Sequence, residues 1–323
     1  MTPSAERVLA AVRVWLGEDR DGPLVLGLCG SQGSGKSTLA AALCSALKAE
    51  GRSIAVLSLD DLYLGHEARA DLARTVHPLF ATRGVPGTHD VAQGIALIDA
   101  IRAGQPVTLP RFDKARDEPA PEGQPVPGKR LAETENPASA SPRHPRAGGD
   151  PTDASATGDV GRWVPACAGM TDKGASDQGR PLDLLIFEGW CVGAKPQDAA
   201  ALAAPVNALE REEDVDAVWR NAVNAALAGP YADLFARIDR LVLLAAPGFE
   251  VVRGWRGQQE DELRARVAAG EAHGSRVMDG PALDRFVQHY ERLTRHILTE
   301  MPPRADLVLR LEPDRSIALR EPS

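Results

Sequence analysis

Large aromatic residues are scarce in this chain: phenylalanine, tryptophan and tyrosine make up 4% of 323 residues, and methionine occurs four times. Four cysteines, Cys29, Cys44, Cys167 and Cys191, show no C-x-x-C spacing, so neither a zinc site nor a disulfide framework is expected. No long run of Lys and Arg occurs, and the net charge is −8, which argues against a nucleic-acid or anionic-membrane surface. Nothing approaches the length of apolar residues that crosses a bilayer. Residues 6–17 mix Arg and Glu with apolar residues at helical spacing, without a basic start and apolar core of a secretion signal, so a cytoplasmic protein is expected. What remains open to so acidic a chain is a small anionic ligand, which needs only a local basic pocket.

The apolar share of 43% supports a full core, and the apolar residues fall in two patterns. Short continuous runs at 24–29, 53–58, 182–188, 241–245 and 307–311 read as buried strands. Between them, helical spacing is found at 5–17, 36–49, 66–76, 215–228, 231–238, 249–269 and 281–301. Alternation of this kind predicts an α/β fold, a doubly wound and mainly parallel sheet of about five core strands with flanking helices. A single domain over 1–323 follows, interrupted at 119–180 by a stretch rich in Pro, Gly, Ser and Ala that is too poor in large apolar residues to offset chain entropy. That stretch is expected to be a disordered insertion. Its pieces around 144–151 and 163–171 resemble translated dispersed-repeat peptides found inserted in bacterial reading frames, and no function is expected of them.

The most informative stretch is Gly30-Ser31-Gln32-Gly33-Ser34-Gly35-Lys36-Ser37, which fits G-x-x-x-x-G-K-[ST] between the first strand and a helix that begins Thr38-Leu39. Glycines let the backbone curl so that its N–H groups point inward, and the helix start adds partial positive charge. Lys36 is placed to reach β- and γ-phosphates, and the Ser37 hydroxyl to hold Mg²⁺. This is the phosphate loop of a P-loop NTPase fold. Asp60 follows the second strand, where it faces a γ-phosphate from the substrate side and can orient and deprotonate a hydroxyl. Glu188 ends the 182–188 strand, where a second, water-mediated Mg²⁺ contact is expected. No guanine-reading N-K-x-D is present, and the strand at 182–188 ends in Glu followed by Gly-Trp, without the D-x-x-G switch of GTPases.

Three further segments admit two readings each. The stretch 77–90 carries two His, an Arg and an Asp, a chemical load unusual for a plain loop, although Asp90 is equally suited to cap the helix that follows. Arg111, Lys114 and Arg116 form either an anion clamp or a solvated charged turn. Arg253 and Arg256 form either a basic lid over the transferring group or a solvated helix face.

Taken together, G-S-Q-G-S-G-K-S-T-L at 30–39, S-L-D-D-L-Y-L at 58–64, H-P-L-F-A-T-R-G-V-P-G-T-H-D at 77–90, L-P-R-F-D-K-A-R-D at 109–117, L-L-I-F-E-G-W-C-V-G at 184–193 and V-R-G-W-R-G-Q-Q-E at 252–260 resemble the plant-type D-glycerate 3-kinases and their P-loop kinase-like relatives. More distantly the motif order is similar to uridine kinase, phosphoribulokinase and pantothenate kinase. The resemblance implies an ATP-dependent kinase of a small molecule, with D-glycerate as the acceptor and another hydroxy acid, a nucleoside or pantothenate as alternatives. A regulatory protein that binds ATP without transfer is the alternative of a different class. It further implies that ATP sits on Gly30, Ser31, Gln32, Gly33, Ser34, Gly35, Lys36, Ser37 and Thr38, with Mg²⁺ at Ser37, Asp60 and Glu188. Asp60 takes the role of base by the D-x-x-Y spacing to Tyr63, with Leu62 where the usual residue is Phe. Asp61, Tyr63, Arg83, His89, Asp90, Arg111 and Lys114 are the implied acceptor-binding residues. Oligomeric state is not indicated.

Overall fold

A computed structural model describes residues 1–128, 181–269 and 278–318. In chain order the elements are α1 (Pro3–Leu16), β1 (Leu24–Gly30), α2 (Lys36–Ala49), β2 (Ile54–Ser58), α3 (His66–Thr75), α4 (Val91–Arg102), β3 (Val107–Leu109), β4 (Phe112–Asp113), β5 (Glu118–Pro119) and β6 (Gln124–Val126). They continue with β7 (Leu184–Gly189), α5 (Ala208–Glu213), α6 (Val218–Ala228), α7 (Pro230–Phe235), β8 (Arg240–Ala245), α8 (Glu250–Ala268), α9 (Gly280–Glu300) and β9 (Leu307–Arg310). Short 3₁₀ turns occupy Leu59–Leu62, Pro78–Ala81 and Ala199–Leu202.

The sheet order is β2-β7-β1-β8-β9, and every pairing in it is parallel. Period-2 geometry explains why its strands are apolar without alternation. Leu24, Leu26 and Leu28 of β1 face one core, built with Val8, Leu9 and Val12 of α1 and Leu39, Leu43 and Leu47 of α2. Val25 and Cys29 face the other, built with Ile98 and Ile101 of α4, Tyr231 and Leu234 of α7, and Leu293 and Ile297 of α9. Because β7 lies between β1 and β2, the chain leaves β1, crosses to the sheet edge and returns, and the strand ends flanking β1 open a crevice for a ligand. Among the described residues, no helix is long and apolar enough to cross a membrane.

Two boundaries differ from expectation for identifiable reasons. The helix expected from 215 begins at Val218, because the Asp214 carboxylate accepts the backbone N–H groups of Trp219 (2.8 Å) and Arg220 (3.1 Å) and the chain before it forms the short α5. Residues 119–128 belong to the fold, although the sequence assigns them to the insertion. Gln124–Val126 pairs antiparallel with Val107–Leu109, and Glu118–Pro119 pairs with Phe112–Asp113. Val126 is 4% exposed, so this ribbon adds to the core. The rest of the expected insertion, 129–180, lies outside the described residues.

Replacing 131–178 by a short Gly/Ser linker is therefore expected to leave the thermal midpoint within a few degrees of the parent. Starting the excision at 123 removes the β3 partner strand together with the buried Val126, and is expected to lower the midpoint further. Differential scanning calorimetry of the two deletions checks this, equal midpoints being the contrary result.

Candidate active site

The turn after β1 is built to hold an anion. Gly33 (φ +74°) and Gly35 (φ +89°) both take the left-handed conformation that a side chain disfavours. A Cβ on Gly33 would lie 2.6 Å from the Trp255 Cβ, so α8 closes directly under the loop. Gly35 has open space where its Cβ would stand, at the first turn of α2, and gives that helix no side-chain cap. The N–H groups of the turn thus remain available to phosphate oxygens. Three side-chain oxygens of the loop, Ser31 Oγ, Gln32 Oε1 and Ser34 Oγ, are buried with no partner among the described residues. Orphaned polar atoms of this kind are costly unless a ligand completes them. Lys36 Nζ rests on the Ser31 carbonyl (3.0 Å), and Thr38 is exposed on the same turn.

Parallel register carries a carboxylate to this loop. Glu188 of β7 stands beside Leu28 of β1 on one side and Ser58 of β2 on the other, and Ser37 Oγ donates to its Oε1 at 3.3 Å. Glu188 is 6% exposed; burial pushes its carboxyl up, against the pull of Lys36, while the charge of Asp60 pushes it further up. A half-buried hydroxyl and a buried carboxylate that forms no ion pair among the described residues fit a hard divalent ion that keeps several waters. Among the described residues, no cluster of three or more His, Cys, Asp or Glu holds a metal, so such an ion would need phosphate oxygens as well.

Asp60, in the turn after β2, completes the group. Tyr63 Oη donates to Oδ1 (2.8 Å) and Lys114 Nζ to Oδ2 (2.6 Å). Burial opposes its ionisation, but Lys114 and Tyr63 outweigh burial and hold the carboxyl well below the usual range. Lys114, whose side chain is 55% exposed, also feels Glu188 and Arg83, and its pairing with Asp60 raises it above its ordinary value. The Arg83 guanidinium lies 5.5 Å from the Phe112 ring centre and 6.0 Å from that of Tyr63. His89 stacks on Tyr63 with centroids 4.6 Å apart. Lys36, Ser37, Asp60, Tyr63, Arg83, His89, Lys114 and Glu188 thus occupy one edge of the sheet.

Other expected residues stand elsewhere. Asp90 is exposed and caps α4, accepting the Gln93 N–H at 2.9 Å. Asp61 and Arg111 pair with each other (2.7 Å), with Asp61 also taking the Phe112 N–H, so both are occupied in holding the 109–113 segment against the turn after β2. Arg253 is exposed and paired with Asp284 of α9, whereas Arg256, paired with Glu260 and stacked on Phe286, lies near enough to Tyr290 to bear on its phenol.

Sequence reasoning missed four supports. Asp117 binds Arg69 (2.6 Å) and Arg83 together, tying two loops, and its position inside the L-P-R-F-D-K-A-R-D block was a usable signal. Tyr290 donates to the Arg83 carbonyl (3.1 Å) and lies near enough to Gln32 for its side chain to bear on the phenol, but helical apolar spacing marks it only as core. Trp190 donates to the Gly84 carbonyl at 2.8 Å. Arg315, from the segment after β9, donates to the Gly33 carbonyl (2.6 Å) and stacks on Trp255, with no sequence signal to announce it.

Parallel sheet, glycine-lined turn and opposed carboxylates define a P-loop kinase. No protein-family model matches the chain. A kinase of Schizosaccharomyces pombe, named the uncharacterized kinase mug58, is 32% identical over 274 residues, which are 83% of this chain and 78% of that one. The chloroplastic D-glycerate 3-kinase of Arabidopsis thaliana is 27% identical over 304 residues, 92% of this chain and 52% of the plant protein. The solved structure of D-glycerate 3-kinase from Cryptococcus neoformans shares the fold, with a TM-score of 0.69, 21% identity and 98% of each chain covered. The chain belongs to this family of P-loop kinases related to D-glycerate 3-kinase, and is a phosphotransferase with an alcohol group as acceptor.

Burial also predicts a pH dependence. His89 and His289 are held neutral by burial, lowered to about 3 and about 4. As pH falls below the unfolded value near 6.5, the unfolded chain takes up protons that the folded one refuses, so stability falls with pH by up to roughly 1 kcal/mol per unit per histidine. The urea midpoint is expected to drop between pH 7 and pH 5, and His289→Gln to flatten that slope by about half. A slope unchanged by the substitution is the contrary outcome.

Proposed function

We propose that the chain transfers the γ-phosphoryl group of ATP to the 3-hydroxyl of D-glycerate, forming 3-phosphoglycerate and ADP. The observation that carries this reading is the placement of Asp60, held ionised by Lys114 and Tyr63, beside the Ser37–Glu188 pair and the Lys36 turn. The turn at 30–38 binds the phosphates, Lys36 neutralises charge on the transferring group, and Ser37 and Glu188 hold Mg²⁺. When bound, that ion supplies positive charge to the phosphate oxygens.

Asp60 accepts a hydrogen bond from the acceptor hydroxyl and aims its oxygen at the γ-phosphorus. As the new O–P bond forms and the bond to ADP breaks, the hydroxyl proton passes to Asp60. So weakly basic a carboxylate takes the proton late, which suits a loose transition state in which the attacking oxygen bonds little until the leaving group has nearly departed. Lys114, paired with Asp60, and Arg83, near enough to Lys114 to bear on its charge, supply positive charge for the acceptor carboxylate, a group that a nucleoside lacks. Arg256, on the helix beneath the phosphate turn, is the lid arginine kept in this reading; Arg253 is assigned no contact.

Incubation with ATP, Mg²⁺ and D-glycerate is expected to yield 3-phosphoglycerate, identified by mass and by coupled assay. No product, or faster phosphorylation of another metabolite in a panel of hydroxy acids, nucleosides and pantothenate, removes the assignment. Asp60→Asn is expected to reduce kcat by roughly 10²-fold or more with the KM for ATP little changed. ATP binding without acceptor-dependent turnover in the parent chain would instead mark a regulatory protein. Lys114→Met is expected to lower kcat/KM for D-glycerate by about 10- to 100-fold, the scale of one charged hydrogen bond.

A further inference from the structure

His89 is 5% exposed, and its Nε2 has no hydrogen-bond partner among the described residues. The other edge of the ring is fully engaged. Nδ1 lies 2.5 Å from the Tyr231 phenol oxygen, on a residue 142 positions away and 1% exposed. That oxygen accepts the backbone N–H of Gly87 (3.0 Å). Among the described residues the phenol hydrogen has no acceptor other than Nδ1, so the phenol donates and Nδ1 accepts. A neutral ring that accepts at Nδ1 carries its proton on Nε2. The reverse assignment would strand the phenol hydrogen in the core. Burial lowers His89 to about 3, so the ring is neutral at working pH.

The unpaired donor sits on the ring edge away from Tyr231. The ring is stacked on Tyr63, whose hydroxyl is bonded to Asp60, and His89 lies near enough to Asp60 to feel its charge. Because the described chain offers Nε2–H no acceptor, a ligand oxygen beside Asp60 is the group that would complete it.

We propose that the relay from Gly87 through Tyr231 locks His89 in its Nε2–H form, and that this neutral donor binds an oxygen of the phosphoryl acceptor beside Asp60, making Tyr231 a positioning residue for acceptor binding. The proposal rests on the reading of this edge as the acceptor site. A neutral donor suits the position: it fixes an acceptor oxygen without adding a second cation to a carboxylate already bonded to Lys114.

The test has two arms on the full-length chain. In the first, ¹⁵N NMR of histidine-labelled protein, with His89 assigned by its Gln variant, is expected to show a pyrrole-type Nε2 and a pyridine-type Nδ1. A proton on Nδ1 overturns the relay. In the second, acceptor kinetics are measured with D-glycerate, or with whichever panel compound the parent chain phosphorylates. Absence of D-glycerate turnover by the parent defeats the substrate reading alone, because the NMR arm does not depend on it. Tyr231→Phe keeps the ring and is expected to raise the acceptor KM about 10-fold with the KM for ATP nearly unchanged and the thermal midpoint lowered by a few degrees, because the Gly87 N–H and Nδ1 lose their partner. His89→Gln, whose amide nitrogen reaches the Nε2 position, is expected to retain acceptor affinity within about 5-fold, and His89→Asn, which matches Nδ1, to lose about 50-fold. Equal behaviour of Gln and Asn, or an acceptor KM unmoved by Tyr231→Phe, overturns the role assigned to Nε2.

Discussion

A single hydrogen bond from Ser37 to Glu188, 3.3 Å long, joins the anion-binding turn to the neighbouring strand, and it exists only because β1, β7 and β2 run parallel in one register. Slip β7 by one residue and the side-chain period of two turns Glu188 into a core and Phe187 toward the turn. Burial prevents that slip. Leu184 and Ile186 belong to one core and Leu185 and Phe187 to the other, so a one-residue shift exchanges the residues shaped for each face. The chemistry at the strand ends is thus fixed by apolar packing well below it.

Three carboxylates near that edge show how environment divides similar groups. Asp61 is taken up by Arg111 and the Phe112 N–H and serves the fold. Asp60, its neighbour in sequence, meets Lys114 and Tyr63 instead, which keep it ionised in spite of burial. Glu188 has a hydroxyl for a partner and a lysine at longer range, so burial prevails and its carboxyl is raised. A raised, buried carboxylate is poised to gain from a divalent ion, whereas a depressed one is already satisfied and is better suited to orienting a hydroxyl.

Most of this was legible where one residue type has one use. The five core strands and the glycine turn could be placed from local runs, since buried parallel strands are continuously apolar and the turn needs left-handed glycines. Asp60 could be placed by its position just past a strand end and Glu188 by its position at the close of one. What was not legible depends on partners distant in sequence. Arg111 and Arg83 carry the same charge in similar company, and only the fold reveals that one meets Asp61 and the other a carboxylate shared with Arg69. Tyr231 and Tyr290 look like core residues by spacing, and they are; their hydroxyls, reaching His89 and Arg83, add a second task that periodicity does not encode. The β3–β6 ribbon was hidden for a different reason: its prolines and glycine carry the composition of a linker, while antiparallel pairing of three residues needs little hydrophobicity.

Tyr290 joins the two halves of the site mechanically. Its hydroxyl lies between the Arg83 carbonyl and the Gln32 side chain, and Gly84 adopts φ +134° where any side chain would collide with that ring. Trp190, the residue after β7, holds the Gly84 carbonyl and packs edge-on against Tyr290 at 4.9 Å. The phosphate turn at Gln32 and the 83–89 loop thus rest on the same ring. Rigid support of this kind matters to phosphoryl transfer, in which positioning supplies much of the rate and an error near 1 Å between hydroxyl and phosphorus is costly. The scarcity of aromatic residues in the sequence sharpens the point: Tyr63, Trp190, Tyr231 and Tyr290 all stand around the same few loops, where stiff side chains with a polar tip can fill space and fix a neighbour at once.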